Sequence, residues 1–364
     1  MRTRRVYLVG SAGAGQGVAD AATFTLNLTG VGKIRWMRIH FEDTNGGTSN
    51  TVGNLHSMVS KIQVVDGSRV LHSLSMQEEI ALNAYRYGAM PQAFLTQDAS
   101  AVLTEDCYID FRLHNRDRSR WLDTNNYRSP MLLITWAMTI SATAGFTTAD
   151  ATLTVEAEII DDGAPTYAGF LMQKEISSAA ALASGISNVL CQLDYPYIGL
   201  AVLIPYAATD PTTIITQIGL VINAGAIAPF LLETTDVHRG LVRKYPPFRQ
   251  VMNPIHGGTA NTLKFDLYKD TEGSVGAAGA TALAVLSTLA ANQAVLAKTT
   301  AETGQQNVRL SGYLPMGCFW LPFGSGFDME DALDPTQFQS MQVNLTNAAA
   351  TGTVTVVTEQ LCPQ

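Results

Sequence analysis

The sequence predicts an all-β protein built from two successive eight-stranded jelly-roll β-sandwiches with short helices, a double jelly roll. Three observations predict it: strands that alternate polar and apolar residues, similar elements that recur in both halves, and a length of 364 residues. That length exceeds what one hydrophobic core usually organises. We place the N-terminal roll at residues 1–165 and the C-terminal roll at 166–364, with a helical insertion around 271–306 and a linker at 161–165.

The clearest repeat closes each half of the chain. Residues 152–160 and 353–361 align without gaps, and four aligned positions are identical: Thr152/Thr353, Thr154/Thr355, Val155/Val356 and Glu158/Glu359. An alternating strand precedes each copy, and in the first of these strands Ile134 and Trp136 share an apolar face. We expect Trp136 to be a core residue. The Ala-, Thr- and Gly-rich linkers predict that each strand pair forms a β-hairpin.

In the first half, alternation predicts strands at residues 24–28 and 37–41, and a compact cassette follows them. The cassette runs from a strand at 62–66, through a tight turn at Asp66-Gly67, into a strand at 70–74 and a helix at 76–87. Ser75 and Glu78 stand in the capping-box positions of that helix. Another strand is expected at 108–113.

In the second half, strands are expected around 189–193 and 198–204, and the cassette then returns. Residues 218–223 correspond to 62–66, and a second helix places Val237 and Leu241 where the first has Ile80 and Ala84. Residues 263–267 parallel 109–113. The second half differs by its long insertion, which we expect to hold an Ala-rich helix at about 280–298.

Composition restricts the class of function. Charged residues make up 15% of the chain, against about 25% in typical soluble domains. This suits a protein that buries much of its outside against copies of itself, although an ordinary β-rich protein also favours Thr over charge. The net charge of −8 argues against sequence-specific nucleic-acid binding. The four cysteines make no CxxC pair and are expected to be small buried hydrophobes.

The sequence carries no motif that indicates an enzyme, a cofactor site or a metal site. GxSxG, HExxH, Walker A and EF-hand patterns are absent, and the six histidines make no metal-type pair. The acidic residues Asp328, Glu330 and Asp331 fit a turn better than a calcium site. The basic start is followed by too short an apolar run for a signal peptide, and residues 273–297 are too weakly apolar for a membrane span.

Two successive jelly rolls in one chain resemble the double-jelly-roll major capsid proteins of tailless icosahedral viruses, often with internal membranes, in the lineage that includes adenovirus hexon. The cassette at 62–87 with its partner at 218–245 carries this resemblance, together with the aromatic run at 313–323, the turn at 328–334 and the terminal strands. The resemblance is architectural and covers nearly the whole chain. It implies a structural protein whose trimers form pseudo-hexagonal capsomers and tile a viral shell.

The same resemblance implies partners and a location. The chain is expected in the virion, after assembly in the host cytoplasm, in contact with itself, with minor capsid or vertex proteins and with an internal lipid membrane. Arg2, Arg4 and Arg5 precede a Gly-rich stretch, so we expect a flexible inner-face arm that touches anionic lipid or minor proteins. Four leucines of the insertion are expected to contact neighbouring subunits: Leu283, Leu286, Leu289 and Leu296.

Two other classes of function stay open at this stage. One is an extracellular enzyme with two jelly rolls, either an amidase that removes glycans from asparagine or a glycoside hydrolase. The other is a carbohydrate-binding virion spike. A glycosidase needs two carboxylates that face one cleft. The four tryptophans are scattered along the chain, which does not favour a Trp-lined cleft.

Overall fold

The fold is taken from a computed structural model. The residues that the structure describes are 1–11, 13–45, 55–91, 93–94, 100, 102–137, 146, 151–180, 184–204, 210–252, 255–256, 262–266, 269–277, 285–288, 293–297, 304–325, 331–348 and 353–363.

Strands dominate the described chain. Those of the first half are β1 (Arg2–Val9), β2 (Gln16–Gly17), β3 (Thr23–Asn27), β4 (Lys33–Thr44), β5 (Val59–Asp66), β6 (Arg69–Leu74), β7 (Ala93–Phe94), β8 (Val102–Asp110), β9 (Leu122–Asp123), β10 (Pro130–Trp136) and β11 (Thr152–Asp162). Those of the second half are β12 (Phe170–Ala180), β13 (Gly185–Leu190), β14 (Tyr197–Leu203), β15 (Ile215–Ile222), β16 (Ile227–Glu233), β17 (Phe248–Met252), β18 (Ile255–His256), β19 (Thr262–Asp266), β20 (Lys269–Ala277), β21 (Val285–Thr288), β22 (Gln293–Ala297), β23 (Gly304–Tyr313), β24 (Cys318–Pro322), β25 (Met341–Asn347) and β26 (Thr353–Cys362). The α-helices are α1 (Leu55–Met58), α2 (Met76–Tyr87), α3 (Pro211–Ile214) and α4 (Thr234–Lys244).

Each half folds as a jelly roll of two four-stranded sheets, which confirms the predicted fold class. In the first roll the sheets run β1-β11-β4-β8 and β3-β10-β5-β6. In the second roll they run β12-β26-β14-β24 and β13-β25-β15-β16, which is the same order of corresponding strands. The duplication inferred from the sequence is therefore a duplication of topology.

The two sheets of each roll pack their apolar faces together. In each roll one apolar cluster draws on both sheets, with Ile39, Val155, Ile62 and Ile134 in the first roll and Leu200, Val356, Ile218 and Val343 in the second. This is the arrangement that period-two alternation requires, because one face of every strand must be buried.

Trp136 lies in the core of the first roll, as predicted. Its side chain is only 3% exposed, and its ring stacks on Phe24 with 6.5 Å between centroids. The indole Nε1–H donates to the carbonyl of Ala19 at 3.0 Å, so the one polar atom of the ring is satisfied inside the core.

The helices α2 and α4 occupy equivalent places, each following the last strand of its cassette. In α2 the Ser75 side chain accepts from the Glu78 N–H while the Glu78 carboxylate accepts from the Ser75 N–H, which is the predicted capping box. Gly88 ends this helix with a positive φ of 68°, which a residue without a Cβ adopts at little cost.

The predicted hairpins at the end of each half are wrong. β10 pairs with β3 and β5, whereas β11 pairs with β1, β2 and β4 in the opposite sheet. β25 and β26 are likewise split between the two sheets of the second roll. Alternation reports that one face of a strand is buried, but it does not identify the strand's neighbour.

The predicted helix in the insertion is also wrong wherever the structure describes it. Residues 285–288 and 293–297 form the antiparallel strands β21 and β22, and β22 also pairs with β19 to give a three-stranded sheet. The proposed counterpart of residues 109–113 is β19 of this three-stranded sheet, and β24 takes the place of β8 instead. Ala is a strong helix former, but intrinsic propensity is a weak determinant compared with tertiary pairing, and strand pairing overrides it here.

The two rolls are joined by strand pairing between their sheets. β6 of the first roll lies parallel to β12 of the second, with Ser73 opposite Lys174, so that two four-stranded sheets join into one of eight. The other sheet of the first roll extends through β7 to β17 and β23 of the second half of the chain.

Candidate subunit interface

An ion pair lies at the contact between the two rolls. Arg86, near the end of α2, donates to the carboxylate of Glu359 on β26 at 2.5 Å, and the two side chains are 3% and 1% exposed. Glu359 also accepts from Gln173 Nε2 at 2.7 Å and from Trp320 Nε1 at 2.9 Å. Three donors therefore compensate the burial of one carboxylate, which is the condition for a charge to be tolerated away from water.

An aromatic cluster surrounds this pair. Tyr85 of the first roll contacts Tyr245 and Trp320 of the second, with centroid separations of 5.6 and 5.7 Å. Its hydroxyl donates to the carbonyl of Cys318 at 2.6 Å. Burial raises the pKa of this hydroxyl well above its usual value, so it stays a donor at neutral pH. The end of α2 is thus held against the second roll by both packing and hydrogen bonds.

A second polar contact joins the rolls at the start of α2. Lys61 on β5 pairs with Glu175 on β12, and Glu78 of the capping box lies nearby. Burial raises the pKa of Glu78 to about 7; its hydrogen bond from Ser75 opposes this rise, and the charge on Glu175 adds to it.

The outer face of the sheet β1-β11-β4-β8 carries a row of polar and aromatic side chains. Arg5, Glu158, Trp36 and Asp110 are successive cross-strand partners in this sheet, so their side chains point to the same side. A cavity of about 340 Å³ opens beside them, lined by residues that include Arg5, Trp36, Tyr108 and Asp110. Its lining combines aromatic walls with charged groups, which suits a protein side chain as occupant.

Apolar side chains are exposed along the two edges of the sheet β13-β25-β15-β16. Ile186 and Leu190 on β13 are 68% and 72% exposed, and Leu231 on β16 is 57% exposed. Exposed apolar groups grouped on one element are typical of surfaces that bind another protein.

The basic N-terminal residues do not form a flexible arm, because residues 2–9 are the strand β1. Arg4 Nε donates to Asp161 at 2.7 Å, and the Arg5 guanidinium lies over the Trp36 ring at 5.1 Å. Arg2 is paired in register with Asp162. The expected contact of Arg2, Arg4 and Arg5 with lipid or minor proteins stays a prediction, but its basis is now an edge strand rather than a loose tail.

The four leucines of the insertion do not share a helical face. Leu286 on β21 and Leu296 on β22 are cross-strand partners. Leu283 and Leu289 lie outside the described residues. Their role between subunits stays a prediction.

Sequence reasoning missed the contact between the rolls. Tyr85, Arg86, Trp320 and Glu359 come together from α2, β24 and β26, which are far apart in the sequence. One signal was present: Glu359 is a charged residue in a strand that is otherwise apolar or Thr-rich, and it recurs as Glu158 in the first half. A repeated charge in a buried strand indicates a buried partner.

The structure tests some of the remaining predictions about sites, and others fall outside the described residues. All four cysteines are free and buried, as expected. Asp328 and Glu330 of the acidic turn lie outside the described residues. No helix in the described ranges is long and apolar enough to cross a membrane, and no three His, Cys, Asp or Glu side chains among the described residues are grouped as a metal would need.

Solved structures of viral capsid proteins match this fold over more than nine-tenths of their length. The major capsid protein P2 from bacteriophage PM2 matches with a TM-score of 0.54 and 9% identity, covering 100% of this chain and 99% of that one. A chain in the atomic structure of Sulfolobus Turreted Icosahedral Virus gives a TM-score of 0.61 and 12% identity, covering 100% and 92%. A chain in the quasi-atomic model of the PBCV-1 virus capsid gives 0.57 and 8%, covering 99% and 93%.

These matches show that the chain has the same double-jelly-roll fold as those capsid chains. No protein-family model and no curated protein sequence matches the chain.

Proposed function

We propose that this chain is a structural major capsid protein, whose homotrimers form pseudo-hexagonal capsomers that tile an icosahedral viral shell. The observation that carries the proposal is that chains from viral capsid structures match both rolls, over 99–100% of this chain. Fold alone does not determine function, so the proposal also needs a surface that fits self-association.

The duplicated fold supplies a reason for trimers. Two similar rolls in one chain give an approximate twofold repetition within the subunit. Three such chains around an axis place six similar rolls in a ring, which lets a threefold object fill sixfold positions in a shell. The exposed apolar side chains on β13 and β16 support the proposal, because exposed apolar groups of this kind are typical of surfaces that bind another protein.

The location and the other partners belong to the same proposal. The chain would be a component of the virion, assembled in the host cytoplasm, and would meet minor capsid or vertex proteins and an internal membrane. Arg2, Arg4 and Arg5 are the candidates for anionic lipid, and flotation with vesicles that contain anionic lipid tests that contact. The division at residue 165 is proposed as the boundary between the two rolls.

Light scattering on the purified protein tests the proposal. A trimer at micromolar concentration is expected, and negative-stain electron microscopy is expected to show hexagonal particles or closed shells. A stable monomer without larger particles contradicts the capsid function. Hydrolysis of glycans by that monomer would point to the enzyme classes that the sequence left open.

A further inference from the structure

We propose that Arg243 of one chain binds Glu158 of a second copy, and so repeats between chains the contact that Arg86 makes with Glu359 within a chain. The inference rests on the proposed capsid function, because it requires the chain to associate with itself. It goes further by assigning the two surfaces that meet: the end of α4 on one chain, and the outer face of β1-β11-β4-β8 on its neighbour.

Glu158 and Glu359 are equivalent by structure as well as by sequence. Both lie on the strand next to the first strand of their roll, at the aligned position of the closing repeat. In both rolls the pairing with the next strand is irregular immediately after this residue: Glu158 and Ile159 pair with Trp36 and Ile34, skipping one residue. Glu359 and Gln360 pair with Gly199 and Tyr197, so that one residue of β14 is skipped in the same way.

Arg86 and Arg243 are equivalent when counted from the end of their helices. The N–H of Gly88 donates to the Ala84 carbonyl and ends α2, and the N–H of Tyr245 donates to the Leu241 carbonyl and ends α4. Each arginine stands two residues before the residue that ends its helix. Arg243 is exposed, and within the described chain no ion pair of its side chain is found. The next residue, Lys244, already donates to the Gly324 carbonyl at 2.7 Å.

The position beside Glu359 that receives the end of α2 is occupied in the second roll. The equivalent position beside Glu158 in the first roll is open. Trp320 lies beside Glu359, and the register of β24 and β8 places Tyr108 where Trp320 stands. In the second roll, Tyr85 from α2 packs on Trp320. In the first roll, the cavity of about 340 Å³ lies at this place, with Trp36 and Tyr108 in its lining. A neighbouring α4 would place Val242, the counterpart of Tyr85, in that cavity.

The charges and donors also fit. Glu359 accepts from three side chains, whereas in the described chain Glu158 accepts from two, Arg35 at 2.8 Å and Thr3 at 3.2 Å. A carboxylate has room for a further donor. On α4 the exposed charges are Asp236, Arg239, Arg243 and Lys244, which sum to a net positive face. On the receiving face, Glu156 lies next to Glu158 along β11 and is already paired with Arg38 at 3.6 Å and Arg5 at 3.9 Å, so Glu158 is the carboxylate assigned to Arg243.

The proposed contact is compatible with a closed ring of three chains. Each chain offers one α4 and one receiving face, so the contact is head-to-tail rather than between identical patches. Within a chain the same contact relates the first roll to the second, and between chains it relates the second roll to the next first roll. Three chains then complete six contacts of one kind.

Crosslinking of two singly substituted chains tests the pairing. Arg243→Cys and Glu158→Cys chains are co-expressed and treated with a short bismaleimide, and the four natural cysteines are buried and so protected. A covalent pair is expected from the mixture and not from either chain alone. Trimers that give no covalent pair overturn this inference and leave the capsid function standing. A stable monomer of the unchanged chain overturns both.

A second variant avoids any change at Glu158, where removal of the carboxylate leaves Arg35 without its partner. Arg243→Glu is expected to raise the concentration at which trimers dissociate by about tenfold or more, because it opposes like charges across the contact. Arg128→Glu, at an exposed arginine in the turn before β10, is the control and is expected to leave the trimer unchanged. Equal trimer stability of the two variants contradicts the proposal.

Discussion

The ion pair between Arg86 and Glu359 is expected to hold the two rolls together, and its removal tests that directly. Both side chains are almost fully buried, and Trp320 donates to the same carboxylate. Replacing Arg86 by Met leaves a buried carboxylate with only Gln173 and Trp320 as donors. Replacing Glu359 by Gln leaves a buried cation. Each single change is expected to lower the free energy of unfolding by about 3–5 kcal/mol, the usual cost of an unpaired buried charge.

The double variant separates the ion pair from the rest of the contact. Arg86→Met together with Glu359→Gln leaves no uncompensated charge, so its cost is expected to be well below the sum of the two single costs. The difference measures the coupling between the two side chains. Arg4→Met is the control, because the pair of Arg4 with Asp161 is largely exposed and is expected to contribute little.

Denaturation in urea, followed by tryptophan fluorescence, measures these costs. Trp320, one of the four tryptophans that contribute to this signal, lies at the contact itself, since its indole donates to Glu359. All variants are compared at one protein concentration, because association shifts the apparent stability. If Arg86→Met costs no more than Arg4→Met, the contact between the rolls is solvated and the reasoning fails.

Two further predictions concern the first roll. Trp136→Ala is expected to cost about 3–5 kcal/mol and to yield insoluble protein, and Trp136→Phe less, because it keeps the stack on Phe24; soluble, folded Trp136→Ala protein contradicts the assigned core. Glu78 has a pKa raised from 4.5 to about 7, so the fold favours its protonated form and the free energy of unfolding should fall by about 3 kcal/mol as pH rises from about 4.5 to about 7. Glu78→Gln keeps the capping geometry and should flatten that part of the pH profile in urea titrations; an unchanged slope means that Glu78 does not cause it.

The sequence was a good guide wherever a pattern depends on a residue's own neighbours. Alternation located β3, β4, β10 and β26, and Ser75 with Glu78 located the start of α2. These patterns follow from local geometry, because a strand repeats every two residues and a helix start needs a nearby side-chain acceptor. The internal duplication was visible for the same reason, since each half repeats the same local patterns in the same order.

The sequence did not predict which distant segments pair with each other. β10 and β11 alternate as hairpin strands do, yet they lie in opposite sheets, because alternation specifies a buried face and not a partner. The Ala-rich insertion has residues compatible with both helix and strand, and its pairing with β19 decided between them. Arg2, Arg4 and Arg5 had the composition of a loose tail until β11 provided a strand to pair with.

The contact between the rolls shows the same limit most clearly. The sequence by itself determined that Glu158 and Glu359 are a repeated pair. Only the tertiary structure decided that Arg86 meets Glu359, since α2 and β26 come together only when both rolls have folded. The physical reason is that a buried charge requires a partner of opposite sign, but the identity of that partner depends on packing across the whole chain.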